Sequence, residues 1–278
     1  MKKAVNFFLF TSLYIAVCAA LMAYQTFLLF HYPVQYKLVG FIFFGTICSY
    51  NFHWYLTPAL AGGSVKTQWS AQNRSLHLAL LLIGLLGAAW FGWQLIDRWY
   101  WLLLTAFVTF LYSAPKIPFK PFISLRKIAI GKTVFLALAW THIPFILPLL
   151  FSTSIWSNAA YLFVFNRFYL IYAICIVFDY RDREADRHEG IRSMVTHLPD
   201  TAVNRLFWGA LFVFFASSCL SYFQGLNLWQ VSLLLLPGII LAGLYSYSKR
   251  HSSDYYYYFV LDGLMMLSSL LLLILPFP

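Results

Sequence analysis

Nine long apolar stretches dominate the sequence. They cover residues 5–30, 37–57, 76–96, 99–113, 128–151, 157–178, 203–223, 229–247 and 255–275. A helix that crosses the hydrocarbon core of a bilayer needs about 20 residues. Nine such helices would use about 180 of the 278 residues and leave only short connections. The pattern therefore predicts one all-α integral membrane domain over residues 1–278, with nine transmembrane helices. The alternation in ten-residue segments that marks membrane β-strands is absent from the sequence.

The composition excludes the main classes of water-soluble protein. Hydrophobic residues make up 62% of the chain and charged residues 10%, whereas about 25% of the residues in a soluble domain are charged. The chain has too few polar side chains to cover a surface that faces water. A soluble enzyme, a disordered chain and a secreted disulfide scaffold are therefore all excluded.

The basic residues predict the orientation of the chain in the membrane. The net charge is +10, and such a surplus can indicate nucleic acid or anionic lipid as a partner. Of the 19 Lys and Arg residues, however, all but Lys37, Arg98 and Arg167 fall on the side that a nine-span chain shares with its N-terminus. By the positive-inside rule the N-terminus is cytoplasmic. We therefore expect a multi-pass protein of the bacterial inner membrane. Its expected partner is the lipid bilayer, and we expect it to bind no nucleic acid.

Five of the nine acidic residues form one short cluster after the sixth stretch: Asp179, Asp182, Glu184, Asp186 and Glu189. On a helix, Asp179, Asp182 and Asp186 lie at about 0°, 300° and 340°, so they share one face, while Glu184 points away from it. Like charges on one helix face repel each other, and a divalent cation relieves that repulsion. Magnesium favours one or two carboxylates together with water and substrate phosphates. A second interpretation stays open, in which the cluster is a solvated loop whose acids pair with the neighbouring arginines.

The same segment carries a family resemblance. The run from Asp179 to Ser193 resembles the second aspartate-rich motif of the UbiA superfamily of intramembrane prenyltransferases, roughly N-D-x-R-D-x-E-x-D-R-x-x-G-x-R-T. Phe178 replaces the usual Asn, and the segment Leu111–Lys116 is similar to the family's Tyr-Ser-x-Pro-Pro region. The matching positions are Asp179, Arg181, Asp182, Glu184, Asp186, Arg187, Gly190 and Arg192.

The resemblance implies a fold and a chemistry. It implies nine helices around a central cavity, and transfer of an isoprenyl group from a polyprenyl diphosphate to a lipophilic, aromatic acceptor. Asp182 and Asp186 would be catalytic residues that hold Mg²⁺, with Asp179 as a further metal ligand. The residues implied to bind the diphosphate are Asn51, Lys116, Lys120, Lys127 and Arg187. For each basic residue, a role in topology or in contact with lipid headgroups is the alternative.

The chain lacks the acidic residues of the family's first aspartate-rich motif. The family pattern is N-D-x-x-D-x-x-x-D, and this chain keeps Asn51 but has Phe52, Tyr55 and Ala59 at the three acidic positions. His53 is a possible polar substitute. Two hypotheses follow: one metal ion together with basic side chains binds the diphosphate, or the chain is a catalytically inactive relative that binds a polyprenyl lipid or a membrane partner. A small transporter is a third class, but its paired Pro-broken helices have no counterpart here.

Two charges fall at membrane depth, away from the ends of the predicted spans. Arg167 lies in the sixth stretch and Asp262 in the ninth. Charges at membrane depth are costly and are usually paired or functional, so these two side chains are candidates for an ion pair.

Overall fold

The structure, a computed structural model, describes residues 2–58, 64–117, 119, 121–122, 131–188 and 193–275, and every regular element in these ranges is helical. The α-helices are α1 (Lys2–Phe10), α2 (Leu13–Leu29), α3 (Tyr36–Leu56), α4 (Val65–Gln72), α5 (Arg74–Trp93), α6 (Trp99–Ser113), α7 (Gly131–Thr141), α8 (Leu147–Ser152), α9 (Asn158–His188), α10 (Met194–His197), α11 (Asp200–Phe223), α12 (Leu228–Ser248) and α13 (Asp262–Ile274). Two 3₁₀ segments, Ile96–Arg98 and Ala114–Lys116, flank α6. Two π-helical segments, His142–Ile146 and Tyr256–Leu261, lead into α8 and α13.

The predicted all-helical membrane architecture is confirmed, and each of the nine apolar stretches is mostly helical over its described residues. In the described part of the chain, six helical segments are long and apolar enough to cross a membrane: Arg74–Trp93, Lys132–Ser152, Asn158–Glu184, Asp200–Phe223, Leu228–Ser248 and Tyr256–Ile274. The helices α1 and α2, bent by 56°, make a seventh if they count as one span. The two further predicted spans lie on α3 and α6, so a count of nine stays a prediction.

The helices pack in a closed circuit. In the order α2, α3, α6, α7, α9, α11, α12 and α13, each helix contacts the next one. Helix α13 packs back against α2 and so closes the circuit. Helix α5 packs on the outside of α3, and its other side chains are largely exposed. A lipid-facing helix of this kind needs no polar outer surface.

Glycine sets the distance between α3 and α5. A Cβ atom on Gly84 would lie 2.5 Å from the backbone nitrogen of Cys48, and one on Gly87 would lie 2.4 Å from the ring of Phe44. Small residues let membrane helices approach closely enough for backbone-to-backbone packing. Gly84 and Gly87 therefore hold α5 directly against α3.

The break between α1 and α2 is fixed by a buried polar junction. Ser12 has a left-handed backbone with φ of 66°, so the helix cannot continue through it. The Asn51 amide donates to the carbonyl of Thr11 at 3.0 Å, and its oxygen pairs with His77 Nδ1 at 2.7 Å. Helices α1, α3 and α5 thus share one hydrogen-bonded site at the bend.

Arg167 and Asp262 do not pair, so the ion pair suggested by the sequence is wrong. The Arg167 guanidinium bonds to Asn166 Oδ1 at 2.8 Å and 3.0 Å and to Ser268 Oγ at 3.0 Å. It also lies over the rings of Phe163 and Phe214. The five N–H groups of a guanidinium can donate to neutral acceptors. Arg167 therefore needs no carboxylate partner, and Asp262 does not pair with it.

Candidate functional site

The predicted acidic face is present at the end of α9. Asp179 and Asp186 are buried, Asp182 is half-buried and the side chain of Glu184 is 73% exposed. This order follows from helical periodicity, because Asp179, Asp182 and Asp186 fall on one side. Three carboxylates therefore line the inner side of α9, and Glu184 stands outside that group.

The cation that meets this face is Lys132, from the start of α7. Its ammonium lies 2.9 Å from both carboxylate oxygens of Asp186 and 4.0 Å from Asp182 Oδ2. The next residue, Thr133, donates its hydroxyl to Asp179 Oδ2 at 2.6 Å. Two consecutive residues of α7 thus contact all three carboxylates. Burial raises the pKa of Asp186, although the nearby Lys132 acts in the opposite direction.

Arg181 projects from α9 toward the aromatic side of the site. Its Nε atom donates to Asp182 Oδ1 at 2.8 Å, and its guanidinium lies 4.6 Å from the ring centre of Tyr258 and 5.1 Å from that of Tyr257. One of its terminal nitrogens, Nη1, is buried without a hydrogen-bond partner in the described structure. A buried donor of this kind is suited to an anionic oxygen.

A second cation, Lys66, comes from α4. Its side chain is only 2% exposed, and its ammonium lies 3.7 Å from the ring centre of Tyr258 and 4.4 Å from that of Trp54. Its backbone N–H donates to Asp254 Oδ2 at 2.7 Å, which docks α4 onto the segment before α13. Burial lowers the pKa of the Lys66 ammonium to about 7.

Lys116 lies on the same aromatic wall. Its ammonium donates to the hydroxyl of Thr57 and lies 5.7 Å from the ring centre of Trp54. The electrostatic neighbours of Lys116 include Lys66 and Asp182. This predicted diphosphate ligand is therefore within electrostatic range of both the acidic face and Lys66.

The other predicted diphosphate ligands are placed differently. Asn51 is fully buried and uses both ends of its amide in the junction at the α1–α2 bend. Arg187 is half-exposed and pairs with Glu184 at 3.1 Å. Lys120 and Lys127 lie outside the described residues.

The end of α3, where the family's first acidic motif would lie, is aromatic in this chain. His53 stacks on Tyr112 at 4.8 Å between ring centres, and its Nδ1 atom lies 3.4 Å from Ser113 Oγ. The neighbouring Trp54 contacts Lys66 and Lys116. Basic side chains and rings thus occupy the region in which the family has carboxylates.

An apolar cavity opens between α3, α6 and α7. Its largest side chains are Tyr50, Tyr112 and Trp140, and the Trp140 indole donates to the Tyr50 hydroxyl at 3.1 Å. The complete lining is Thr46, Ser49, Tyr50, Thr109, Tyr112, Leu136, Ala139, Trp140 and Ile143. Tyr112 also interacts electrostatically with Lys132 and Asp182, so the cavity adjoins the charged site.

The carboxylates have the right chemistry for magnesium. Hard oxygen ligands suit Mg²⁺, which commonly takes one or two carboxylates and completes its shell with water and phosphate oxygens. Asp186 and Asp182 already converge on one cation, the Lys132 ammonium. Among the described residues, no group of three His, Cys, Asp or Glu side chains has the arrangement of a complete protein metal site. The donor set therefore fits a metal ion that shares its ligands with a substrate.

Two cations of this site are missed by sequence reasoning. Lys132 and Lys66 have the positions of topology-determining charges, and only tertiary packing brings them to α9 and to Tyr258. A signal for Lys132 exists, because it is a charge inside the apolar stretch 128–151, and charges inside such stretches are usually paired or functional. Lys66 has no such signal.

Comparison with known proteins identifies a relationship over most of the chain. A family model described as the UbiA prenyltransferase family matches residues 59–270. Neither the curated proteins nor the solved structures contain a match.

Proposed function

The chain belongs to the UbiA prenyltransferase family, and we propose that it transfers an isoprenyl group from a polyprenyl diphosphate to a lipophilic, aromatic acceptor. The main support is the convergence of Asp182 and Asp186 on one cation beside Lys116 and the buried Nη1 of Arg181. Carboxylates for a metal ion and donors for phosphate oxygens thus adjoin an apolar cavity.

The proposed donor site has two parts. Asp182 and Asp186 hold Mg²⁺, and Lys116 and Arg181 hold the diphosphate. Asp179, the third predicted ligand, lies on the same face and accepts a hydrogen bond from Thr133, so it supports the site from its buried end. When bound, Mg²⁺ neutralises the negative charge that develops on the departing diphosphate. The side chains of Lys116 and Arg181 stabilise the same charge by direct hydrogen bonds. Lys120, Lys127 and Arg187 are further proposed ligands of the diphosphate.

The small cavity beside Tyr50 and Trp140 is the proposed contact surface for the part of the isoprenyl chain next to the diphosphate. Its lining is mainly apolar and aromatic, which suits a hydrocarbon chain. The π faces of such rings stabilise a neighbouring positive charge, and the allylic carbon becomes electron-deficient as its bond to oxygen breaks. The cavity therefore contributes to binding and to stabilisation of the transition state.

We also propose nine spans with a cytoplasmic N-terminus, in a bacterial inner membrane. Helix α3 has 21 residues, which is long enough to cross the hydrocarbon core. Helix α6 has 15 residues and is extended by a 3₁₀ segment at each end. Labelling of single cysteines near Lys3 and near Asp97 with a membrane-impermeant reagent tests this topology, because the two positions should lie on opposite sides.

Ligand-dependent stability tests the donor site. The protein is purified in detergent and its thermal midpoint is measured with isoprenyl diphosphates of several chain lengths, with and without Mg²⁺. Because a ligand that binds only the folded state raises the midpoint, we expect a rise that needs both Mg²⁺ and the diphosphate. Absence of any rise with every chain length would contradict the proposal.

A further inference from the structure

A polar cluster apart from the proposed donor site lies where three membrane helices meet the surface. Arg183 lies near the end of α9, Asp200 and Asn204 lie in the first two turns of α11, and Lys249 directly follows α12. Each of these positions is within four residues of the terminus of an apolar span. The cluster therefore lies at the level where the hydrocarbon core gives way to lipid headgroups.

The contacts of this cluster differ from those of the acidic face. Asp186 of α9 pairs with a side chain of α7, whereas Arg183 of α9 contacts Asp200 of α11. Tyr180, one turn before Arg183, packs edge-on against Tyr245 of α12 with 6.3 Å between the ring centres. The cluster therefore lies between α9, α11 and α12 and shares no residue with the proposed donor site.

The Lys249 ammonium is held by one amide and two rings. It donates to Asn204 Oδ1 at 3.0 Å and lies 4.8 Å from the ring centre of Tyr180 and 5.4 Å from that of Tyr245. The Tyr245 hydroxyl donates to the same Asn204 oxygen at 2.6 Å. Of the three N–H groups of the ammonium, one meets an acceptor in the described part of the chain. Lys249 therefore has donors for a further acceptor.

Arg183 is only partly paired. Its Nη1 atom lies 3.5 Å from Asp200 Oδ1, and the side chain of Asp200 is 53% exposed. Its Nε atom is buried and has no hydrogen-bond partner among the described residues. A buried donor without an acceptor is costly, and a guanidinium pairs well with phosphate oxygens. An anionic oxygen beside Nε would therefore complete the hydrogen bonds of Arg183.

The spacing and the charge of the cluster suit one phosphate group. Residues three or four apart on a helix have Cβ atoms about 5–6 Å apart, so Arg183 and the Tyr180 ring that contacts Lys249 occupy adjacent turns of α9. Asp200 and Asn204 occupy adjacent turns of α11 in the same way. Two cations and one carboxylate leave a single positive charge, which one phosphodiester neutralises.

The outer surface next to the cluster is apolar. Trp208 and Phe212 follow Asn204 at intervals of four residues on α11, and both side chains are exposed. The Trp208 ring packs edge-on against that of Tyr245 with 5.8 Å between the ring centres. Tryptophan is enriched at the boundary between membrane and water. A ligand bound at the cluster thus has a hydrocarbon-facing surface beside it.

We propose that Arg183 and Lys249 bind the phosphate of an anionic phospholipid in the cytoplasmic leaflet. Basic pockets between membrane helices on that side bind anionic headgroups. Inorganic phosphate offers the same oxygens, but only a lipid uses the apolar surface at Trp208 and Phe212. The inference rests on the topology proposed above for the choice of leaflet, and it is independent of prenyl transfer.

Lipid-dependent stability tests this site. The full-length protein is stripped of lipid in a neutral detergent, and its thermal midpoint is measured with dioleoyl phosphatidylglycerol, dioleoyl phosphatidylcholine or inorganic phosphate. The two lipids have the same tails and the same phosphodiester, but choline adds a positive charge. We expect phosphatidylglycerol to raise the midpoint at concentrations about tenfold below those of phosphatidylcholine, because basic side chains attract anionic headgroups. Inorganic phosphate at the same concentrations should leave the midpoint unchanged.

Two variants and one control assign the effect. Arg183→Gln and Lys249→Gln should each weaken the response to phosphatidylglycerol by about tenfold, because each removes hydrogen bonds to a charged group. Arg74→Gln is the matched control, since it removes one exposed cation from α5, which packs on α3. Its response should equal that of the wild type.

Several outcomes would overturn the proposal. One is an equal response of the wild type to both lipids, and another is a preference for phosphatidylglycerol that survives in both variants. A loss in Arg74→Gln as large as that in Arg183→Gln would show general attraction to the membrane surface instead of a defined site. If inorganic phosphate reproduces the rise, the ligand is a soluble phosphate and the lipid assignment is wrong. Because Arg183 and Lys249 lie on different helices, either variant decides the question if the other does not fold.

Discussion

The ammonium of Lys132 lies 2.9 Å from both carboxylate oxygens of Asp186, although 54 positions separate the two residues in the sequence. This contact joins α7 to the end of α9 at the point where the proposed metal ligands converge. An ammonium and a metal ion require the same carboxylate oxygens, so they compete for Asp186.

Replacement of Lys132 by Met should reveal that competition. Loss of hydrogen bonds to a charged group should lower the free energy of unfolding by about 1.5–3 kcal/mol. Mg²⁺ alone should then raise the thermal midpoint of Lys132→Met, whereas the wild type should need the diphosphate as well. Lys3→Met, at an exposed position in α1, serves as the control. If Mg²⁺ alone does not change the thermal midpoint of Lys132→Met, the ammonium and the metal ion do not share a site.

Replacing single carboxylates of α9 by amides should show which of them the proposed activity needs. Asp182→Asn and Asp186→Asn should each lower the rate of prenyl transfer by about 100-fold or more, because each removes charge stabilisation at the leaving group. Both should also lose the Mg²⁺-dependent rise in midpoint with the diphosphate.

Glu184→Gln is the matched control for these two variants, since it lies on the same helix with its side chain 73% exposed. Its rate and its midpoint should stay close to those of the wild type. A loss as large as that in Asp186→Asn would contradict the assignment of the inner face.

Substitution of Gly84 should push α5 away from α3. An added methyl group at this position meets the Cys48 backbone nitrogen at 2.5 Å, and overpacking of this kind costs about 1–3 kcal/mol. Chemical denaturation of Gly84→Ala in detergent measures the loss.

Gly45→Ala is the comparison, because a Cβ atom there has no neighbour within 4 Å in the described structure. It should be no less stable than the wild type. Equal stability of the two variants would show that the contact between α3 and α5 is loose.

Lys66 should make stability depend on pH. Its folded-state pKa of about 7 is below the value of about 10.4 in an unfolded chain. The unfolded state therefore binds more protons between these values, and the free energy of unfolding rises with pH across this window. The destabilisation is full below pH 7 and disappears near pH 10.4.

The comparison with Lys66→Met isolates this contribution. The variant lacks the buried ammonium, so its stability advantage over the wild type should narrow as the pH rises from 7 to 10. Lys3→Met should show a constant difference. A difference for Lys66→Met that widens with pH would contradict the assigned pKa.

Local sequence patterns predict the helical fold and the acidic face well. The described parts of the apolar stretches are mostly helical, and the spacing of Asp179, Asp182 and Asp186 places them on one side of α9. Both features depend on neighbours along the chain. Periodicity alone is sufficient for such features.

The partners of these residues could not be predicted, because they depend on packing between distant segments. The pairing of Lys132 with Asp186 and the ring contacts of Lys66 join elements far apart in the sequence. The hydrogen bonds from Arg167 to Asn166 and Ser268 could not be predicted from the charged residues of the sequence either. The left-handed Ser12 also carries no signal in a continuous apolar stretch.

Helix α9 contains 31 residues, which at 1.5 Å per residue gives a length of about 46 Å. A hydrocarbon core is about 30 Å thick, so α9 is longer than the core by roughly three turns. An isoprenyl diphosphate is an amphiphile, with a charged diphosphate head group and a hydrocarbon tail. Because the acidic face lies at the C-terminal end of α9, the length of this helix would place the proposed donor site at the membrane surface, where water reaches the diphosphate while the hydrocarbon tail stays in the bilayer.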